Sequence, residues 1–261
     1  MKTFWETILV TFGMYSRVPV KQVEWTEQNR KYSMLAFPLV GVVLGALWFL
    51  VALIGDSLGL PTVLTGALLT GLPLLVVGGI HLDGYADTCD ALSSHGDKEK
   101  KLAIMKDPHV GSFAVMHVAV YLILWFAACT VLAGEDVEVW AVCALCFVYS
   151  RTLSGRAVAS FPVAAGSGLV KAFADDADKK KVKTGSLVLV VVLSVLMILI
   201  DVSFETMPAA IFALVVANGV LGWYKYIANK HFGGINGDLA GWFLCKAELY
   251  MLVAAAVAVC L

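Results

Sequence analysis

Charge is scarce in this sequence. Only 15% of the 261 residues are Asp, Glu, Lys or Arg, while 60% are hydrophobic and mean hydropathy is +0.83. Soluble domains carry about 25% charged residues, so a water-soluble core is excluded. Basic excess is also missing: net charge is −1, which argues against nucleic acid as a ligand. Cysteine pairs are missing too. Cys143 and Cys146 have a redox or zinc spacing but lie in an apolar run with no second pair, so they read as small helix residues. No internal repeat or low-complexity tract is evident. The apolar run Phe4–Met14 is interrupted by Glu6 and followed by Arg17 without a small-residue cleavage pattern, so an interfacial amphipathic helix is expected rather than a secretory signal or a span.

What is abundant is apolar sequence in lengths that match a bilayer. About 20 residues cross the hydrocarbon core as a helix. Seven segments qualify, near Ser33–Ile54, Pro61–Ile80, Gly111–Ala133, Val137–Leu153, Ser186–Asp201, Met207–Trp223 and Leu239–Leu261. The expected fold is therefore an all-α integral membrane protein with about seven transmembrane helices plus the N-terminal interfacial helix, in a single domain. Its inner parts would be the segment 1–32 and the connections 81–110, 154–185 and 224–238.

Lysine and arginine set the orientation. All 19 basic residues fall in or beside the N-terminal segment and every second connection, ending with Lys225, Lys230 and Lys246. The short intervening connections Gly55–Leu60, Gly134–Asp136 and Val202–Glu205 have none, but do hold Asp56, Glu135, Asp136 and Glu205. By the positive-inside rule this alternation predicts a cytoplasmic N-terminus and an external C-terminus.

The long inner connections carry the chemistry-bearing residues. In the first, Asp83, Asp87 and Asp90 stand at i, i+4 and i+7 and share one face of a helix. Three such carboxylates repel unless a cation neutralises them, and oxygen-only ligands select Mg²⁺, with Mn²⁺ as the substitute. The bland alternative is a solvated acidic helix start. Mg²⁺ on carboxylates is commonly completed by substrate phosphates, which points to displacement at phosphorus. Next comes Lys106-Asp107-Pro108-His109-Val110-Gly111. Lys106 and His109 suit a phosphate, and Asp107 suits either the metal or the cap of the third span. Arg151 and Arg156 leave the fourth span with phosphate-binding forks or as topological anchors. The run Asp175–Lys181 reads as an exposed mixed-charge helix. Finally, Gly233, Gly234 and Gly237 form an irregular turn around Asn236 and Asp238 that could cradle an anion. Glu248 follows within a span and should face the bundle interior; Lys246 is its bland partner, although i and i+2 point apart.

Taken together, HLDGYADTCD, IMKDPHVGSF, the Arg151/Arg156 region and HFGGINGD resemble the cobalamin-5′-phosphate synthase (adenosylcobinamide-GDP ribazoletransferase) family. FGMYSRVP and FPLVGVVLGAL fit the same family's opening. The resemblance implies a Mg²⁺-dependent phosphotransferase of the prokaryotic cytoplasmic (inner) membrane with its site on the cytoplasmic side. A hydroxyl of α-ribazole or its 5′-phosphate would attack the cobinamide-bound phosphate of adenosylcobinamide-GDP and release GMP. It maps the acidic motif onto Asp83, Asp87 and Asp90, as metal ligands or, for Asp90, as base. It leaves Asp107 as a further ligand, and Arg17, His81, Lys106, His109, Arg151, Arg156, Asn236, Asp238 and Glu248 as substrate-binding residues. The family's late motif more often has Thr where this chain has Asn236. Partners are then the two substrates and membrane lipid, not nucleic acid; a homo-oligomer is left open. Two rival readings remain. A CDP-alcohol phosphotransferase would need Arg where Asp87 follows Ala86 and a second Asp-x-x-x-Asp. A transporter would place its acids near mid-bilayer and often show repeated halves.

Overall fold

The computed structural model describes residues 2–201 and 206–261. Residues 202–205, the third outer connection with Glu205, lie outside the described residues. The chain is helical almost throughout, and the only β-type pairing among the described residues is one bridge between Val163 and Ile235.

The chain begins with α1 (Lys2–Tyr15) and the short α2 (Glu27–Arg30), which is closed by a capping box between Thr26 and Asn29. The apolar runs follow as α3 (Ser33–Ser57), α4 (Thr62–Val77), α5 (Ile80–Ser93), α6 (Lys98–Ile104), α7 (Ser112–Leu132) and α8 (Val137–Ser160). The remainder forms α9 (Gly168–Asp176), α10 (Lys179–Leu199), α11 (Thr206–Ile227) with a π-helical extension Ala228–Phe232, and α12 (Gly237–Val259). Six elements are long and apolar enough to span a bilayer on their own: α3, α7, α8, α10, α11 with its extension, and α12.

The seventh expected span, Pro61–Ile80, is the exception. Here α4 ends at Gly78 and Gly79, both left-handed (φ 79° and 82°), and α5 leaves at 96° to it. Two consecutive residues in that region are open to glycine at little cost. We count α4 as the crossing half. The helix α5 carries three carboxylates on one face and, instead of continuing the line of α4, packs on α12 and α7.

Burial sorts the helices into a centre and a periphery. In α8 and α12, 72% of the apolar window is buried, against 22% in α10. Leu187, Val188, Val191, Val192, Val195 and Leu196 of α10 are exposed, as a lipid-facing surface would be. Helices inside a membrane gain little from hydrophobic burial and associate through close packing of small residues. The α3–α8 pair does so: a Cβ added at Gly155 would stand 2.5 Å from the Met34 carbonyl, and Gly41 and Gly45 lie as closely against the α8 backbone at Phe147 and Ala144.

The stretches read from sequence as inner connections, 81–110, 154–185 and 224–238, are largely helical. The helix α8 continues past Leu153 because residues 154, 155 and 157–159 stay small or apolar, until Pro162 cannot continue it. The run Asp175–Lys181 is not one helix but the end of α9 and the start of α10. Asp178 caps α10 through Lys181 N, and Arg30 Nε donates to Asp176 Oδ2 at 2.7 Å. Cys143 and Cys146 are buried free thiols on α8.

Candidate active site

The site is built where α5 crosses the first turn of α12. Two glycines set the distance. A Cβ on Gly84 would meet the Asp238 Cα at 2.7 Å, and one on Gly241 would meet the His81 carbonyl at 2.8 Å. The two backbones therefore touch, and this brings Asp83 and Asp87 of α5 to Asp238 of α12. Burial first, then the neighbouring charges of Asp83, Asp238 and Asp90, pushes the Asp87 carboxyl up to about 6. Asp90 lies one turn further on, its carboxylate against Gly111, the residue that opens α7; any side chain at 111 would take the carboxylate's place. A carboxylate suits that helix start electrostatically.

Asn236 is the N-cap of α12. Its side-chain oxygen accepts from Leu239 N at 2.8 Å, and its amide donates toward Met105 Sδ at 3.7 Å. Capping is a task Thr performs as well, so the Asn for Thr exchange preserves the local chemistry. Ahead of it, Gly233 and Gly234 (φ 76° and 152°) make the turn. Gly234 leaves no room for a Cβ beside Pro162–Ala164, the segment bridged to Ile235.

Two neighbouring cavities open on this crossing. One, of about 260 Å³, is walled by Tyr15, Phe37, His81 and Phe173 and bordered by Asp83 and Asp238. The other, of about 180 Å³, is lined by Lys106, Gly166, Ser167, Asn236 and Asp238. They share Leu169, Val170, Gly237 and Asp238. Arg17 sits over the α4–α5 break: its amide donates to Val76 O at 2.7 Å, and its side-chain methylenes occupy the space above Gly78.

Several sequence-predicted residues are engaged elsewhere. Asp107 accepts from His109 N at 2.9 Å and pairs with His109 Nδ1 at 2.7 Å, both side chains exposed. The His109 backbone and ring bonds hold the Asp107 carboxyl below the usual carboxylate range. Asp107 thus neither joins the α5 carboxylates nor caps α7, whose cap is Gly111. Arg156 donates to Lys183 O at 2.7 Å, tying α8 to α10. Arg151 and Glu248 are buried together rather than presented to a substrate. Arg151 Nη1 donates to Glu248 Oε1 at 2.6 Å and to Phe147 O at 3.0 Å, and Ser150 Oγ adds a 2.8 Å bond to the same carboxylate oxygen. Lys246 instead donates to Tyr250 OH at 3.1 Å and lies over the rings of Tyr85, Trp223 and Tyr250.

Among the described residues, no three His, Cys, Asp or Glu side chains are placed so as to hold a metal ion between them. The donor set is nonetheless the one a hard cation takes: oxygen only, mutually repelling and open to solvent. Mg²⁺ in particular keeps several waters and completes its shell with substrate oxygens. Sequence reasoning did not find the aromatic walls Tyr15, Phe37 and Phe173. They come from α1, α3 and α9, and nothing local in the sequence sets them apart from other apolar residues. The Arg151–Glu248 pairing did leave a signal: each is a lone charge in an apolar run, and such charges need opposite partners.

These features define a polytopic helical membrane protein with an acidic cleft at one end of its bundle. The cobalamin-5-phosphate synthase family model matches residues 7–256, and the chain belongs to that family. It is 41% identical over 252 residues to an adenosylcobinamide-GDP ribazoletransferase of Lachnoclostridium phytofermentans, covering 97% of this chain and 94% of that one. It is 31% identical to one of Clostridium perfringens (95% and 96% covered) and 36% identical to one of Pseudomonas fluorescens (87% and 89%). No solved structure matches. The chain is accordingly a transferase of cobalamin nucleotide-loop assembly, and the two rival readings fall away.

Proposed function

We propose that the chain transfers the adenosylcobinamide-phosphate group of adenosylcobinamide-GDP to α-ribazole or α-ribazole 5′-phosphate, releasing GMP. The observation that carries this reading is the α5–α12 crossing, where the family's acidic motif meets Asp238 beside two cavities. In the reaction, a ribazole hydroxyl oxygen attacks the cobinamide-bound phosphorus, the P–O bond to GMP breaks, and the hydroxyl proton passes to a carboxylate.

We assign Asp83, Asp87 and Asp238 to a Mg²⁺ ion, for which Mn²⁺ would substitute. Bound there, the ion supplies positive charge to the pyrophosphate oxygens. Asp90, set apart from the other three against the start of α7, takes the proton. Lys106 and Arg17, basic and exposed at the cleft and at the α4–α5 break, steer the pyrophosphate. Arg151 and Glu248 position: they fix α8 against α12, and so hold the helix that carries Asp238. His109 and Arg156 remain at the periphery.

The basic residues flank the same end of the bundle as the cleft, which supports a cytoplasmic N-terminus and a site on the cytoplasmic face of the inner membrane. Phe4 and Trp5 of α1 are exposed while Val10, Thr11 and Phe12 are buried, as in a helix lying at the interface. The reading is tested with protein in lipid nanodiscs given Mg²⁺, adenosylcobinamide-GDP and α-ribazole. GMP release that needs all three components is expected; folded protein releasing no GMP above background overturns it.

A further inference from the structure

The 260 Å³ cavity is chemically unlike the cleft next to it. Its walls are rings and aliphatic side chains drawn from six separate helices. Tyr15 stands 4.4 Å from Phe37, 6.4 Å from His81 and 6.3 Å from Phe173, centroid to centroid. Charge enters only at one edge, through Asp83 and Asp238. One wall residue stands out: His81, whose buried Nε2 has no hydrogen-bond partner among the described residues. In either neutral tautomer the imidazole carries one N–H and one free nitrogen. An orphaned buried donor or acceptor is costly and is usually satisfied by something that binds.

Size limits what that something is. A cavity of roughly 150 Å³ holds benzene, so 260 Å³ takes two fused rings and cannot admit a corrin macrocycle. Three bicyclic bases are present in the proposed reaction: guanine, the adenine of the adenosyl group, and benzimidazole. Guanine and adenine each carry several donors and acceptors on their edges, and in this apolar wall most would be left unpaired. The benzimidazole of α-ribazole, once joined to its sugar, has a single unsubstituted ring nitrogen, matching a single imidazole N–H. We infer that the cavity walled by Tyr15, Phe37, His81 and Phe173 seats the flat benzimidazole base of the nucleophile, with the His81 imidazole facing its free ring nitrogen. This rests on the transfer reaction proposed above. The sugar then emerges at the edge formed by Asp83 and Asp238, where its hydroxyl meets the phosphorus. The adjoining 180 Å³ cleft, with Lys106, is left to the pyrophosphate.

The test separates the pocket from the reaction, because α-ribazole alone can be titrated calorimetrically into the full-length protein in nanodiscs without turnover. Ala240→Phe narrows the cavity from α12. Met14→Trp does so from the partly exposed last turn of α1, at a residue that lines this cavity and not the cleft. Both are expected to weaken α-ribazole binding at least tenfold and to raise its KM in parallel, while the KM for adenosylcobinamide-GDP stays within twofold. His81→Phe, which keeps a ring and removes the donor, should weaken binding several-fold. Unchanged α-ribazole affinity in both narrowed variants overturns the assignment. So does a rise in the KM for adenosylcobinamide-GDP with α-ribazole unaffected, which would give the cavity to a base of that substrate instead. GMP release by the wild-type protein, measured alongside, reports on the transfer reaction separately.

Discussion

Two sets of charges on the same helices are treated in opposite ways. Between α8 and α12, Arg151 and Glu248 face each other at 2.6 Å, with Ser150 and a backbone carbonyl completing the arrangement. At the start of α12, Asp238 faces Asp83 and Asp87, and among the described residues none of the three forms an ion pair with a basic side chain. The first set is compensated by the protein itself and does structural work. The second is left uncompensated, and the compensation must come from what binds. This contrast separates the charges that hold the bundle together from those that act on a substrate, and each side of it can be tested.

The largest effect is expected in the uncompensated set. Asp87→Asn keeps the shape and removes the charge. It should lower GMP release at least a thousandfold, about 4 kcal/mol of transition-state stabilisation, with membrane insertion and thermal unfolding nearly unchanged. Activity within tenfold of wild type would show that Asp87 holds no essential ion. The compensated set should respond the other way round. Removing one partner, as in Arg151→Met, leaves Glu248 buried and alone and should cost about 3–5 kcal/mol of stability. The double variant Arg151→Met/Glu248→Met should recover most of that loss, as read by denaturation in nanodiscs. If the double variant is as unstable as the sum of the singles, the pair is not the reason these charges are buried there.

A smaller effect is expected where geometry rather than charge is altered. Gly84→Ala puts a Cβ within 2.7 Å of the Asp238 backbone, so α5 must move away from α12. Such overpacking costs about 1–3 kcal/mol, and the carboxylates separate in consequence. The expected outcome is a lower apparent Mg²⁺ affinity in the activity titration, partly overcome by raising Mg²⁺. A simple loss of folded protein with unchanged Mg²⁺ dependence in the remainder would mean that the close approach serves packing alone.

The contrast also explains what was legible in the sequence. Apolar runs and the alternation of basic residues predicted seven spans, six of which are spanning helices; the 96° break at Gly78 and Gly79 that interrupts the other was not read from them. Asp83, Asp87 and Asp90 were readable because helical spacing alone puts them on one face. Their meeting with Asp238 was not, since it depends on Gly84 and Gly241 letting two helices touch over 150 positions apart in the chain. Asp107 looked equivalent to the others by proximity in sequence, but Pro108 turns the chain so that it meets His109. Glu248 was expected to face inward, with Lys246 disfavoured as its partner because i and i+2 point apart; its partner on α8, Arg151, was not foreseen. The aromatic cavity had no sequence signal at all, because each of its walls belongs to a different element.

The subtlest distinction between the two sets lies in their response to pH. Asp87 is pushed up to about 6 by burial and three carboxylate neighbours, from an ordinary value of 3.8. A folded-state value above the unfolded one means that the folded protein binds the extra proton between those limits. The stabilising contribution of that proton is therefore full below about 3.8 and is lost as pH rises through about 6. A divalent ion replaces the proton as the neutralising partner, so the two compete. Near pH 7.5 Asp87 is almost fully ionised, and near pH 5.5 only about a quarter is, so Mn²⁺ affinity should fall about fourfold between them. Electron paramagnetic resonance of Mn²⁺ titrated into the protein in nanodiscs reads this directly, and Asp87→Asn should flatten the profile while weakening binding throughout. An affinity that does not change between these pH values would mean that the ion avoids Asp87, and the cation would then have to be shared by Asp83 and Asp238 alone.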